Sequence, residues 1–86
     1  MPRISEFYGI TIAMFYNDHE PPHFHAIYGE HRVLIRIDPV EVLQGDLPRR
    51  ALGLVYEWAR SRQRELSADW SLARDHRPLQ RIAPLD

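Results

Sequence analysis

Three of the five histidines in this chain, His19, His23 and His25, lie within seven residues of one another, beside the carboxyl groups of Asp18 and Glu20. Imidazole titrates near neutral pH and is the side chain that transition metals most often bind. Imidazoles beside carboxylates supply the donors of a metal centre or the groups of general acid–base catalysis. We therefore expect any chemistry that this sequence encodes locally to lie in residues 18–25.

The first interpretation of this cluster is a site for a divalent transition metal such as zinc. A His-x-His pair on a strand, joined by a histidine from the adjacent turn, resembles zinc centres that keep a coordination position open for water. The candidate metal ligands are His19, His23, His25 and Asp18. Glu20 is the alternative to Asp18 as a fourth ligand or as a partner that orients a ligating ring. No other cofactor is predicted.

Two other interpretations stay open. In the second, His23 and His25 act as general acid and base on a phosphodiester, and Arg36 stabilises the developing charge, so these three are the candidate catalytic residues. In the third, the histidines are structural and cover one face of a sheet or pack against a second chain. The prolines between them then only fix a turn.

The first half of the chain has the alternating apolar pattern of β-strands, which are predicted over residues 10–16, 23–28, 31–38 and 40–43. A two-residue hairpin loop at Gly29-Glu30 sets the register of the second and third of these strands. The resulting pairs are Tyr28 with His31, Ala26 with Val33, Phe24 with Ile35, His25 with Leu34 and His23 with Arg36. Hydrophobic burial favours this register over a slip of one residue. The face away from the helices would then carry His23, His25, Arg32 and Arg36.

The second half of the chain has a helical period over residues 48–74, where Trp58 and Trp70 are expected to anchor the core. One unbroken helix would be about 40 Å long, whereas a domain of this size is about 30 Å across. The projected apolar face also contains charged residues, namely Arg62, Glu65 and Asp69. Although the sequence does not decide between one helix and two, we favour a break or bend between Arg62 and Ser67.

These elements predict an α+β domain. Its small antiparallel sheet is expected to have three or four N-terminal strands, and the sequence leaves open a further short strand over residues 79–82. The C-terminal helical segment is expected to cover one face of this sheet. The chain of 86 residues is expected to form a single domain, residues 1–86.

Composition restricts the class of protein. The chain has no cysteine, no apolar run of the length that a membrane span needs and no signal-peptide pattern at its start, so a cytoplasmic location is expected. The net charge of −1 argues against nucleic-acid binding through bulk charge, although nucleic acid is retained as an alternative partner.

The sequence also resembles a known family in two segments, residues 7–14 and 17–30. The first reads Phe-Tyr-Gly-Ile-x-Ile-x-Met, and the second contains Asn-Asp-His-x-Pro-Pro-His-Phe-His-Ala-x-Tyr-Gly-Glu. Both are similar to the signature of the bacterial family called domain of unknown function 4160, and residues 78–85 are similar to its C-terminal pattern. The family's members are small, and they are often encoded beside a protein of the domain of unknown function 2442 family, in arrangements that resemble toxin–antitoxin pairs.

The resemblance implies a component of a toxin–antitoxin-like module that acts with a small partner protein through its histidine-rich face. It assigns no catalytic residue. The alternatives are a metal-dependent or histidine-based hydrolase, such as a nuclease, and an interaction module without chemistry. A homodimer is a further alternative, because the core is small. No membrane partner is expected.

Overall fold

Within the described part of the chain, five antiparallel strands form one sheet in which each strand pairs with the next. The structure is a computed structural model and describes residues 2–86. The strands are β1 (Arg3–Phe7), β2 (Ile10–Ala13), β3 (His23–Tyr28), β4 (His31–Arg36) and β5 (Glu41–Gly45), followed by helices α1 (Arg49–Ser61) and α2 (Gln63–Arg74). The α+β class is confirmed.

The β3–β4 hairpin has the register that the sequence predicts. Its loop is Gly29-Glu30, and all five predicted pairs are present, including His23 with Arg36 and His25 with Leu34. Phe24 and Ala26 are fully buried, as are their partners Val33 and Ile35. The prediction succeeds because the short loop and the burial of one apolar face leave a single favourable alignment.

The N-terminal part of the sheet is larger than predicted. Strand β1 was not expected, and it joins β2 through Tyr8-Gly9, both of which have positive φ, as a type I′ hairpin turn requires. The strand expected over residues 10–16 ends at Ala13, and the one expected over residues 40–43 is β5. Residues 79–82 form no strand, but the Ile82 amide donates a 2.7 Å hydrogen bond to the Ile4 carbonyl.

The helical region breaks at Arg62, at the start of the interval that the sequence favoured. Arg62 has φ −124° and ψ 19°, and its amide donates to the carbonyl of Ala59, which ends α1. The Arg62 carbonyl accepts from the amide of Leu66 and so begins α2. The longest dimension of the molecule is 33 Å, too short for the unbroken helix of about 40 Å.

The main core lies between the sheet and α1. Trp58 of α1 is fully buried, with its ring centroid 5.3 Å from Phe7 and 5.9 Å from Phe24. Its indole N–H donates to the carbonyl of Ala83, so the same side chain also fixes the C-terminal segment. Neither helix of residues 2–86 has the length and apolar composition that a membrane crossing requires.

Candidate metal centre

Two elements bring the candidate ligands together: strand β3, which carries His23 and His25, and the segment before it, which carries Asp18. Residues His23 and His25 share a side of the strand because side chains alternate along it. Asn17 has φ 62°, in the left-handed region that asparagine tolerates, and this turn precedes Asp18. The chain thus folds back across the two prolines, and Asp18 reaches both histidines.

The three side chains converge on one carboxylate oxygen. Oδ2 of Asp18 lies 3.0 Å from Nε2 of His23 and 3.1 Å from Nε2 of His25. One ligand atom from each of the three residues lies within 4.8 Å of the others. Only the His25 contact has the geometry of a hydrogen bond, and Nε2 of His23 is buried without a hydrogen-bond partner among the described residues.

The other ring nitrogen of His23 determines where its proton lies. Nδ1 is 2.8 Å from the carbonyl oxygen of Pro21, which can only accept, so Nδ1 carries a hydrogen and donates it. In the neutral ring, Nε2 then presents a lone pair to the Asp18 carboxylate. An Nδ1–H donated to a carbonyl, with Nε2 left free, is the arrangement that histidine ligands of metals commonly adopt.

The separations also match those between ligands around one ion. Ligand atoms about 2.1 Å from a metal lie about 3.0 Å apart at a right angle and about 3.4 Å apart at a tetrahedral angle. The distances from the shared Asp18 oxygen to the two ring nitrogens are 3.0 and 3.1 Å. Two of the three separations therefore fit ligands of one ion, and the ligand atoms of all three residues lie within 4.8 Å of one another.

Asp18 is the anionic member of the group. Burial acts to raise its pKa, but the hydrogen bond with His25 and, when the rings are protonated, the charges of His23 and His25 outweigh it and lower the pKa below the ordinary value. Asp18 is accordingly ionised at neutral pH. One carboxylate and two imidazoles are a donor set that borderline divalent ions such as zinc and iron(II) accept.

The position expected for His23 was wrong in one respect. The sequence placed its side chain on the face away from the helices, but it is 99% buried and its ring centroid lies 5.3 Å from that of Trp70 in α2. The physical reason is the contact with α2, which begins after the break at Arg62 and whose Trp70 covers the first residue of β3. His25 is more accessible, and its ring meets the edge of Phe15 at 4.5 Å.

The remaining candidates lie near this group without joining it. His19 is exposed, and its ring centroid is 6.0 Å from that of His23. Arg36 is opposite His23 in the sheet, but its guanidinium contacts Glu41 at 2.7 Å and the Pro39 carbonyl at 3.3 Å. Glu20 contacts Arg74 at 3.2 Å.

Sequence reasoning missed three groups that shape the site: the Pro21 carbonyl, the ring of Phe15 and the ring of Trp70. The backbone carbonyl leaves no signal in the sequence. Trp70 was interpreted as a core residue, and it is indeed 95% buried, but its contact with His23 depends on the direction of α2.

Comparison with known protein families shows that the model of a domain of unknown function (DUF4160) matches residues 9–71. The match includes all three residues of the converging group. Comparison with curated proteins and with solved structures found no match.

Proposed function

The chain belongs to the family described as a domain of unknown function (DUF4160), and we propose that it binds a divalent transition-metal ion through Asp18, His23 and His25. One observation carries the proposal. The buried Nε2 of His23 has no hydrogen bond to any atom of residues 2–86, although it lies 3.0 Å from a carboxylate oxygen that His25 also contacts.

A bound cation accounts for this arrangement better than the side chains alone do. Two electron-rich atoms that face each other in a buried site repel, and an unpartnered buried polar atom costs about 1–3 kcal/mol. A proton on Nε2 would also relieve the repulsion, because the imidazolium would pair with the carboxylate, but it would place a charge on a side chain that is 99% buried. A divalent ion uses the lone pairs of His23, His25 and Asp18 together and leaves Nδ1 of His23 bonded to Pro21.

Three protein ligands leave at least one coordination position open. Catalytic zinc sites have this composition, in which the ion lowers the pKa of a bound water to about 7. We therefore propose hydrolysis as the class of reaction. A zinc ion held by Asp18, His23 and His25 would supply a hydroxide for attack on the carbonyl carbon or phosphorus of an ester. The leaving ester oxygen would take up the proton of the water that is consumed, so no redox partner is needed.

A zinc titration of protein purified without a histidine tag tests the binding. The wild-type chain should bind one ion per chain, and His23→Gln, His25→Gln and Asp18→Asn should each weaken binding by about 100-fold or more, because a ligand is lost. His31→Gln is the matched control, since His31 is exposed at the far end of β4. Equal affinity for the wild type and His23→Gln would refute the site, and so would the absence of binding at micromolar zinc.

His19 is not part of the proposed ligand set. Because it is exposed and its ring lies 6.0 Å from that of His23, His19→Gln should change zinc affinity by less than about threefold. A loss as large as that of His25→Gln would show that the loop closes further and that His19 is a ligand.

The hydrolytic step has its own test. Zinc-loaded protein should hydrolyse chromogenic phosphate or carboxylate esters faster than zinc in the same buffer, and His25→Gln should abolish the difference. If neither ester class is hydrolysed faster while one ion binds per chain, the hydrolase part of the proposal is refuted and the binding part remains.

The toxin–antitoxin-like role, with its small partner protein, stays a prediction from the family resemblance. It is tested by co-expression with the neighbouring small gene. The prediction requires that the two proteins form a complex or that co-expression changes growth. If neither is observed, the prediction is refuted.

A further inference from the structure

A cleft opens beside the proposed metal centre, between the segment after β2 and helix α2. Its volume is about 260 Å³, and Phe15, Asn17, Asp18, Trp70, Ala73 and Arg74 line it. Asp18 belongs both to the cleft and to the ligand group. Small-molecule sites usually have about 300–1,000 Å³, so this cleft is sized for one small group or for the end of a longer molecule.

The two aromatic walls of the cleft contact the two histidines. Phe15 meets the ring of His25 at a centroid distance of 4.5 Å, and Trp70 meets that of His23 at 5.3 Å. Trp70 also has a buried indole N–H without a hydrogen-bond partner among the described residues, although such groups usually have one. A group held in this cleft would therefore lie next to the ion.

The charges favour an anionic group. A divalent ion with Asp18 as its one anionic ligand keeps a net charge of +1. The cation of the cleft, Arg74, contacts Glu20 at 3.2 Å, but these side chains are 64% and 58% exposed. An exposed pair of this kind contributes little free energy, so an incoming anion can replace Glu20.

We propose that this cleft binds an oxyanion group of the substrate, a phosphoryl or a carboxyl group, between the open position of the metal and the guanidinium of Arg74. Arginine suits this role because its planar donors bind two oxygens of such a group at once. The assignment rests on the proposed metal centre and adds the chemical class of its ligand.

Cobalt(II) in place of zinc makes the open coordination position visible in the absorption spectrum. Cobalt-loaded protein is titrated with inorganic phosphate and, separately, with acetate, and the two arms distinguish a phosphoryl from a carboxyl site. We expect at least one anion to change the spectrum at millimolar concentration. Arg74→Gln should weaken that binding by about 10-fold or more, because a charged hydrogen bond is lost.

Two further variants sharpen the test. Glu20→Gln should tighten anion binding by about two- to fivefold, because it removes the competing carboxylate. Arg64→Gln, which removes the same charge from an exposed position on α2 outside the cleft, should leave binding within about twofold.

The outcomes separate the two proposals. If no cobalt spectrum forms with the wild type, the metal centre itself is refuted. If the spectrum forms but neither anion changes it, or if Arg74→Gln and Arg64→Gln bind the anion equally well, the oxyanion site is overturned while the metal centre stands.

Discussion

At the scale of single residues, Nε2 of His23 lies 3.0 Å from an oxygen of the Asp18 carboxylate without a hydrogen bond to it, and this contact is unfavourable while the ring is neutral. Asp18→Asn should relieve it, because the carboxamide can donate a hydrogen to that nitrogen. With a chelator present at about pH 8, where free imidazole is neutral, we expect the variant to be as stable as the wild type or more stable by about 1 kcal/mol. Urea unfolding measures the difference.

The same substitution should remove the stabilisation that zinc gives. If the substitution does not lower the free energy of unfolding without metal, and if zinc no longer raises that free energy, Asp18 is a metal ligand. Asp38→Asn, at an exposed carboxyl outside the site, is the control. If Asp18→Asn costs more than about 2 kcal/mol in the chelator, Asp18 is a structural partner of charged histidines and the metal interpretation fails.

Asp69 of α2 is a carboxyl group in the protein interior, and its side chain is fully buried. One of its oxygens accepts the Gln80 amide at 2.8 Å, and the other has no partner among the described residues. Burial raises its pKa, the Gln80 hydrogen bond opposes the rise, and the charge of Glu65 adds to it. The folded protein therefore holds this proton more tightly than the unfolded chain does.

The sign of the pH dependence follows from that shift. Because the folded state binds the Asp69 proton more tightly, the wild type loses stability as the pH rises from the unfolded pKa through the folded one. Asp69→Asn keeps an acceptor for Gln80 and does not ionise. In urea unfolding, its stability relative to the wild type should increase between pH 4 and pH 7. Asp75→Asn, exposed at the end of α2, should show no such trend, and a pH-independent difference for Asp69→Asn would contradict the account.

At the scale of elements, the β4–β5 pairing depends on a glycine. Gly45 has φ +80°, and a Cβ there would collide with the backbone carbonyl of Arg32. Gly45→Ala should lower the free energy of unfolding by about 2–4 kcal/mol, from left-handed strain and displaced backbone together. Gly53→Ala in α1 meets no atom within 4 Å and should stabilise by about 0.5–1 kcal/mol. Chemical unfolding compares the two variants, and similar effects of both would contradict the close approach of Gly45 to the Arg32 carbonyl.

The strands and helices differ in how well the sequence predicted them. The β3–β4 register followed from a glycine-containing loop and from apolar partners that must share a face. Strand β1 was missed because it has five residues, with buried Ser5 in the apolar pattern, and because its turn, Tyr8-Gly9, lacks the usual asparagine or aspartate. A break in the helix was favoured, though not decided, from the charged residues in its apolar face and from its length compared with the width of a domain of this size.

The residues of the candidate site could be predicted from the sequence, but their positions relative to one another could not. Asp18, His23 and His25 were all named from the sequence, because their types and spacing are typical of metal ligands. Their convergence depends on the path of the chain across Pro21 and Pro22. The burial of His23 depends on where α2 lies, and Trp70 is 47 positions away in the sequence. Contacts between such distant positions carry no local pattern.

At the scale of the whole molecule, a chain of 86 residues has a small core, and ligand binding can add a large part of its stability. A ligand at 1,000 times its dissociation constant adds about 4 kcal/mol, and each kcal/mol raises the melting temperature of so small a domain by about 4–8 °C. We expect zinc to raise the melting temperature of the wild type by about 15 °C or more. An equal rise in His25→Gln would indicate unspecific binding.

The position of the ion is the most direct test of the account. A crystal of the wild-type protein grown with zinc, with anomalous scattering measured at the zinc absorption edge, locates it. The account predicts one strong peak about 2.0–2.2 Å from Nε2 of His23, Nε2 of His25 and a carboxylate oxygen of Asp18, with Nδ1 of His23 still bonded to Pro21. A zinc peak elsewhere, with Asp18 still in direct contact with both histidines, would contradict it.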